Sequence, residues 1–284
     1  MNIAVLSGKG GTGKTTISTN LAYMMNINYA DLDVEEPNGH IFLKPQIKAT
    51  KDVVIPTPKI DADKCTLCGI CTQTCQFNAL VNTGKKIMVF EDLCHGCGAC
   101  SLACPEKAIS EYDRKIGDMT IGTYDKAGFY SGKIILNEPM GGPIITDIKN
   151  ALPKDEDVII DCSPGTSCNV VKALDGADYA LMVTEPSKFG LHDLKLAVEL
   201  VRELEIPLGI VINRSNEYDH LIEDFAKEEN VDIIGKIPFS KEAAKMYSEG
   251  RLLIENDEIR KVFEKIKFSV LDVVKEENHA ISNS

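Results

Sequence analysis

Gly8-Lys9-Gly10-Gly11-Thr12-Gly13-Lys14-Thr15-Thr16 follows the apolar run Ile3 to Leu6 and opens a segment in which Ile17, Leu21 and Met24 recur at helical spacing. Strand, glycine-rich turn and helix in that order make a phosphate-binding loop. The glycines let backbone N–H groups converge on phosphate oxygens, and Lys14 reaches the β- and γ-phosphates. The Thr15 hydroxyl is placed to join Mg²⁺, and the helix turns its positive end toward the same anion.

Outward from this loop the chain alternates. Residues 26–30 read as an extended segment closed by Asp31-Leu32-Asp33, which puts carboxylates at the edge where a doubly wound sheet binds ligands. Val158 to Ile160 form a continuous apolar strand ending on Asp161, followed by Cys162-Ser163-Pro164-Gly165. An acid closing a buried strand before a glycine turn suits a Mg²⁺-linked switch. Strands at 179–183, 208–213 and 232–237 then alternate with helices at 191–204 and 218–228, and a C-terminal helix pair ends the pattern. The expected fold class is α/β, a doubly wound, mostly parallel sheet covered on both faces. Residues 41–59 carry Pro45, Pro56 and Pro58 without a clear period and read as a linker. Residues 119–123 and 133–136 read as strands around a turn at Gly128 to Gly132.

The cysteines interrupt the alternation. Cys65-x2-Cys68-x2-Cys71-x3-Cys75 is repeated 29 residues later as Cys94-x2-Cys97-x2-Cys100-x3-Cys104-Pro105, and Ala79-Leu80 in the first block answers Ala108-Ile109 in the second. This run holds 4Fe-4S cubes, three thiolates clamping three corners and the fourth serving the other cluster. Zinc also takes paired C-x-x-C motifs, but a four-ligand site does not call for two such runs.

With Lys9 directly after the first glycine, the loop resembles the deviant form K-G-G-x-G-K-[ST]-T of the MinD/ParA superfamily, which includes the nitrogenase iron protein and the carrier ATPases of iron-sulfur assembly. The resemblance implies a homodimer with ATP at its interface. Lys9 then reaches the nucleotide of the other subunit, and Gly8, Gly10, Gly11, Thr12, Gly13, Lys14, Thr15 and Thr16 hold the phosphates. By the same resemblance Asp33 positions or activates the attacking water and Asn38 is a neighbouring switch position. Asp161 serves Mg²⁺ with Thr15, Pro164-Gly165 form the hinge that senses the γ-phosphate, Asn213 reads adenine, and Pro238-Phe239 follow the strand whose end lines the base pocket, with Pro238 counted among the nucleotide-binding residues.

The cysteine blocks resemble two-cluster bacterial ferredoxins over about residues 59–112. That implies one cube on Cys65, Cys68, Cys71 and Cys104 and another on Cys94, Cys97, Cys100 and Cys75. Gln76 departs from the pattern by replacing the expected proline. The domain organisation that follows is a discontinuous ATPase domain, 1–58 and 113–284, with an inserted ferredoxin domain at 59–112. Cys168 lies seven residues after Asp161, the spacing of a subunit-bridging cluster ligand in the nitrogenase iron protein. Simple burial is the other reading for Cys168 and for Cys162.

A chain of 284 residues with 44% hydrophobic and 26% charged residues has the composition of a soluble globular protein. Its net charge of -12 argues against nucleic-acid binding, no apolar run is long enough to span a bilayer, and the phosphate loop occupies the place of a cleavable signal. A cytoplasmic protein is expected. Ile259, Val262, Phe263, Ile266 and Val270 give the last helix an apolar face suited to the core, and the polar tail 275–284 is not a membrane anchor. The expected cofactors are ATP, Mg²⁺ and two 4Fe-4S clusters. Two activities fit: a slow, partner-stimulated ATPase coupling dimer closure to electron transfer or metal-cofactor assembly with a protein partner, or a positioning or scaffold ATPase whose clusters are structural or redox-sensing.

Overall fold

The computed structural model describes residues 1–282, with side chains through residue 273. The elements run β1 (Asn2–Leu6), α1 (Lys14–Met25), β2 (Asn28–Asp31), α2 (Gly39–Leu43), β3 (Gln46–Ile60), α3 (Ile70–Thr74), β4 (Leu80–Asn82) and β5 (Ile87–Val89). They continue with α4 (Ala99–Ala103), β6 (Ile109–Tyr124), β7 (Ala127–Ile134), α5 (Gly142–Ala151), β8 (Val158–Asp161), α6 (Cys168–Leu174) and β9 (Tyr179–Thr184). The last are α7 (Lys188–Glu203), β10 (Leu208–Ser215), α8 (His220–Glu228), β11 (Ile233–Pro238), α9 (Lys241–Ser248) and α10 (Asp257–Ser282).

Nine strands form one sheet in the order β11-β10-β9-β1-β8-β2-β7-β6-β3. From β11 to β7 neighbours run parallel, while β6 and β3 are antiparallel additions at one edge. Side chains alternate between two cores. Ala4 and Leu6 of β1 join the core under α5, α6, α7 and α8, while Ile3 and Val5 join the core under α1 and α10. Ile17 and Leu21 of α1 and Ile259, Phe263, Ile266 and Val270 of α10 are buried there. Residues 275–284, the tail that the sequence sets apart from a membrane anchor, lie beyond the described side chains. Among the described residues no helix is long and apolar enough to cross a membrane.

Two local expectations are corrected. Residues 46–60 are not a linker but the edge strand β3, paired with β6 from Gln46↔Thr123 to Ile60↔Ile109. Pro56 and Pro58 are tolerated because an edge strand leaves alternate N–H positions facing outward, where no ladder bond is lost. Val53, Ile55 and Thr57 keep the period-two burial of a strand across these prolines. The turn between β6 and β7 falls at Asp125 and Lys126, not at Gly128 to Gly132, which belong to β7. Gly132 is small because a Cβ there would fall 2.4 Å from Ile144 Cγ2.

The outer half of the β3–β6 ladder carries a small unit, residues 61–108, in which Cys71, Leu80, Ile87 and Cys100 pack together. Its two halves repeat in space as in sequence. α3 and α4 start 29 residues apart, and positive φ recurs at Leu67 and Gly96, Gly69 and Gly98, and Asn78 and Lys107.

The longest helix is expected to be integral to the fold. Phe263→Ala should cost about 3–5 kcal/mol in urea denaturation, because a fully buried ring leaves a cavity against the sheet. A loss under about 1 kcal/mol would mean that α10 is not packed as described.

Candidate functional site

The cleft lies at the C-terminal ends of β1, β2, β8 and β10, where an open α/β sheet binds ligands. A cavity of about 510 Å³, of nucleotide size, is lined by the loop from Lys9 to Thr16 together with Asp33, Asn38, Asn213 and Pro238. Two close approaches shape the loop. A Cβ at Gly8 would fall 2.2 Å from the Asp193 carbonyl oxygen, and one at Gly13, at φ 93, would fall 2.1 Å from the Asn213 amide nitrogen. Asn213 Nδ2 instead donates to the Thr12 carbonyl at 2.7 Å, pinning the loop to the end of β10. The Thr12 hydroxyl is buried without a protein partner.

Lys14 opens α1, and its buried ammonium donates to Asp161 Oδ1 at 2.8 Å, with Asp33 Oδ2 at 3.8 Å. Burial works against its charge, but Asp161, Asp33 and Asp31 outweigh it and hold the Lys14 pKa above the ordinary value. Tyr29 of β2 donates its hydroxyl to the other Asp161 oxygen at 2.9 Å. Burial, and then the Asp161 charge, push the Tyr29 pKa well above the usual value, so the phenol stays a donor.

Asp31 and Asp33 divide the work of the second strand's end. Asp31 is fully buried and accepts the Gly39 N–H at 2.9 Å and the Asp33 N–H at 3.3 Å, clamping the loop between β2 and α2. Its pKa is pushed well up, first by burial and next by Asp161. Asp33 lines the cavity, and burial raises its pKa too, with Lys14 opposing. Asp31 belongs to the acidic pair that the sequence places at the strand end, whereas Tyr29 and Glu185 are neighbours of the site that the motifs do not reveal. Glu185, just after β9, accepts from Lys9 Nζ at 2.5 Å and from Arg214 at 3.1 Å. A lysine followed by a distant acid carries no local signal.

The cysteines gather in two sets. Cys65, Cys68, Cys71 and Cys104 line one recess, and Cys75, Cys94, Cys97 and Cys100 line a second. In each set one thiol comes from the opposite half of the repeat. Ala79 N–H donates to Cys75 Sγ and Ala108 N–H to Cys104 Sγ, both at 3.3 Å. Among the described residues no three His, Cys, Asp or Glu converge closely enough for a single ion. Four sulfurs around a walled recess, supported by backbone donors, fit a body with several metal corners. Burial pushes the Cys100 thiol up to about 11. Of the two remaining cysteines, Cys162 is fully buried in the core with its thiol pushed up to about 12, and Cys168 is exposed at the start of α6.

The profile of the CobQ/CobB/MinD/ParA nucleotide binding domain matches residues 3–254. The chain belongs to this family of P-loop ATPases. An uncharacterized protein of Methanocaldococcus jannaschii is 34% identical over 273 residues, spanning 94% of this chain and 96% of its own. An iron-sulfur cluster carrier protein of Pyrococcus horikoshii is 25% identical over 305 residues, spanning 96% and 86%. The septum site-determining protein MinD of Pyrococcus horikoshii, complexed with Mg-ADP, overlays with a TM-score of 0.60 at 16% identity over 95% of both chains, a likeness of fold.

The raised Asp31 pKa has a signed consequence. A carboxyl whose folded pKa exceeds its unfolded value of about 3.9 favours folding fully at low pH, and loses that contribution as pH climbs through the raised value. Without added nucleotide, Asp31→Asn should therefore flatten the fall in unfolding free energy above about pH 4. Urea titrations over pH check this, and slopes that match the unsubstituted chain would overturn it.

Proposed function

We propose that the protein hydrolyses ATP with Mg²⁺ and couples nucleotide-dependent closure of a homodimer to electron transfer through two 4Fe-4S clusters. One cluster is held by Cys65, Cys68, Cys71 and Cys104, the other by Cys94, Cys97, Cys100 and Cys75. The observation that carries this reading is the β3–β6 ladder, which runs from Gln46↔Thr123 to Ile60↔Ile109 with register shifts at Ile47/Ala49 and Val53/Val54. One pair of strands both extends the nucleotide-binding sheet and holds the cysteine-rich unit, which gives displacement in one a direct path to the other.

On the nucleotide side, phosphates entering the loop draw Lys14 away from Asp161. Tyr29 keeps Asp161 in place, and Asp161 and Thr15 would hold Mg²⁺, which would supply charge neutralisation at the phosphates. Asp33, at the cavity wall, orients water for attack on the γ-phosphorus. As the new P–O bond forms, the bond to the ADP oxygen breaks and the water's proton passes to Asp33, whose raised pKa suits it to accept. Lys9 must leave Glu185 before it can reach a partner subunit's nucleotide.

On the cysteine side, bound clusters supply one-electron chemistry at potentials set by hydrogen bonds and solvent exposure. Cys71, Cys94 and Cys100 are buried and each set bridges both halves of the repeat, which favours retaining a cluster, while one cysteine of each set, Cys68 and Cys97, is exposed where a partner could approach. This supports electron transfer to a partner protein over delivery of clusters. The second reading, metal or iron-sulfur cofactor assembly, is supported by the relatives named iron-sulfur cluster carrier proteins.

Asp33→Ala should retain ATP binding and lose roughly 10²–10⁴ in hydrolysis rate, and unaltered turnover would remove Asp33 from the chemistry. Anaerobically prepared protein should contain about eight iron and eight acid-labile sulfide per chain. Zinc in place of iron would end the cluster reading. Potentials that ignore an unhydrolysed ATP analogue would end the coupling but not the clusters.

A further inference from the structure

The two cysteine recesses are not equally placed on the ladder. Ile60 and Ile109, its last pair, line the recess of Cys65, Cys68, Cys71 and Cys104, which is therefore outer. Pro56, Pro58 and Glu111 line the other, which is inner. The inner loop presses on the ladder, since a Cβ at Gly96 would fall 3.1 Å from Ile55 Cβ. Ile55 is paired with Arg114 of β6.

Arg114 is an unusual residue for this position. Its guanidinium is largely buried and bonds Glu138 at 2.5 Å, and the Glu138 side chain is only 1% exposed. The contact uses one nitrogen and one oxygen. Arg114 Nε and Nη2 and Glu138 Oε1 are buried without protein partners, as is the Thr57 hydroxyl two residues along from Ile55. A guanidinium and a carboxylate can also meet through two parallel bonds. The pair thus has a second arrangement available from the same atoms, and buried pairs with unused valences are sensitive to small displacements. Asp92 and Cys94 of the inner loop lie within electrostatic reach of the guanidinium. The position 29 residues earlier, Lys85, is exposed on the turn between β4 and β5, so the outer recess has no matching buried cation there.

Glu138 sits on the connector between β7 and α5, and that connector is tied to the nucleotide switch. Ile134 N–H donates to the Val34 carbonyl at 2.9 Å, and a Cβ at Gly141 would fall 2.7 Å from Val34 Cγ2. Val34 directly follows Asp33. Ile135 N–H in turn donates to Ile116 O at 3.0 Å, which registers the connector against β6 beside Arg114. Both ends of the segment carrying Glu138 therefore rest on Val34.

Resting on the reading of the cysteine blocks as cluster sites, we propose that the Arg114–Glu138 pair is the coupling element between the Asp33–Val34 switch and the inner cluster site. Displacement of Val34 shifts Glu138 against Arg114, and the share of the guanidinium charge left facing Cys94 changes. More of that charge favours the reduced, more negative cluster, and less favours the oxidised one. Arg114 and Glu138 act as positioning residues and take no part in ATP hydrolysis.

The test is an anaerobic redox titration followed by electron paramagnetic resonance on the full-length protein, Arg114→Met and Glu138→Gln, with and without an unhydrolysed ATP analogue. Arg114→Met should make one cluster harder to reduce by at least tenfold in its reduced-to-oxidised ratio at fixed poise, about 59 mV for one electron. Glu138→Gln should move the same cluster the other way and abolish its response to the analogue, while the second cluster stays put. Glu138→Gln keeps the volume and one hydrogen bond, so it carries the test if Arg114→Met fails to fold. Unmoved potentials, shifts of one sign in both variants, or equal shifts of both clusters would overturn the inference and leave the cluster reading standing. Absence of any cubane signal from the unsubstituted protein would instead overturn the cluster reading itself.

Discussion

The Asp161 carboxylate is the constraint on which the nucleotide half of the molecule is built. A fully buried carboxylate costs several kcal/mol unless its oxygens are met by well-placed donors. Here Lys14 meets one and Tyr29 the other, from two different segments that flank β8. The phosphate loop, β2 and β8 are therefore held in one register by a single charge, and β1, β8 and β2 lie side by side at the middle of the sheet. The cost reappears next door. Asp31 shares the same dry space and is pushed toward protonation, so the loop between β2 and α2 is clamped by a carboxyl whose charge its neighbour opposes.

How much of this is legible in the sequence depends on how local each cause is. The phosphate loop, the Asp161 strand and the cysteine blocks are contiguous patterns, and the alternation of strands and helices from residue 179 onward is read correctly to within a few residues, whereas the short helix α6 at Cys168–Leu174 is missed. β3 is missed because prolines usually end a strand, and what excuses them is an edge position set by partners some 50 to 75 residues away. Gly128 and Gly132 look like turn residues, but their cause is lack of room beneath Asn28 and Ile144. Tyr29, Glu185 and Arg114 acquire meaning only from groups distant in the chain. No spacing rule reaches them.

The internal repeat shows the opposite balance. Backbone features recur at the same offset, including the hydroxyl of Thr72 bonded to Gly69 O and that of Ser101 bonded to Gly98 O. Side chains at matched positions around the recesses have diverged. His95 stacks on Phe77 with ring centroids 3.7 Å apart at the inner recess, while the matching outer positions hold Thr66 and Glu106. The duplicated backbone preserves how four sulfurs are presented. The surroundings differ in polarity and bulk, the properties that tune whatever those sulfurs hold.

The last rung of the ladder, Ile60 opposite Ile109, brings the two ends of residues 61–108 side by side. Topologically the whole cysteine-rich unit is thus the loop of a hairpin. Closing so long a loop in place of a four-residue turn costs only about 2 kcal/mol in chain entropy, since the cost grows with the logarithm of length. Both ends of the unit stay on one rung, so a change of length within residues 61–108 would leave the register of the sheet below it undisturbed.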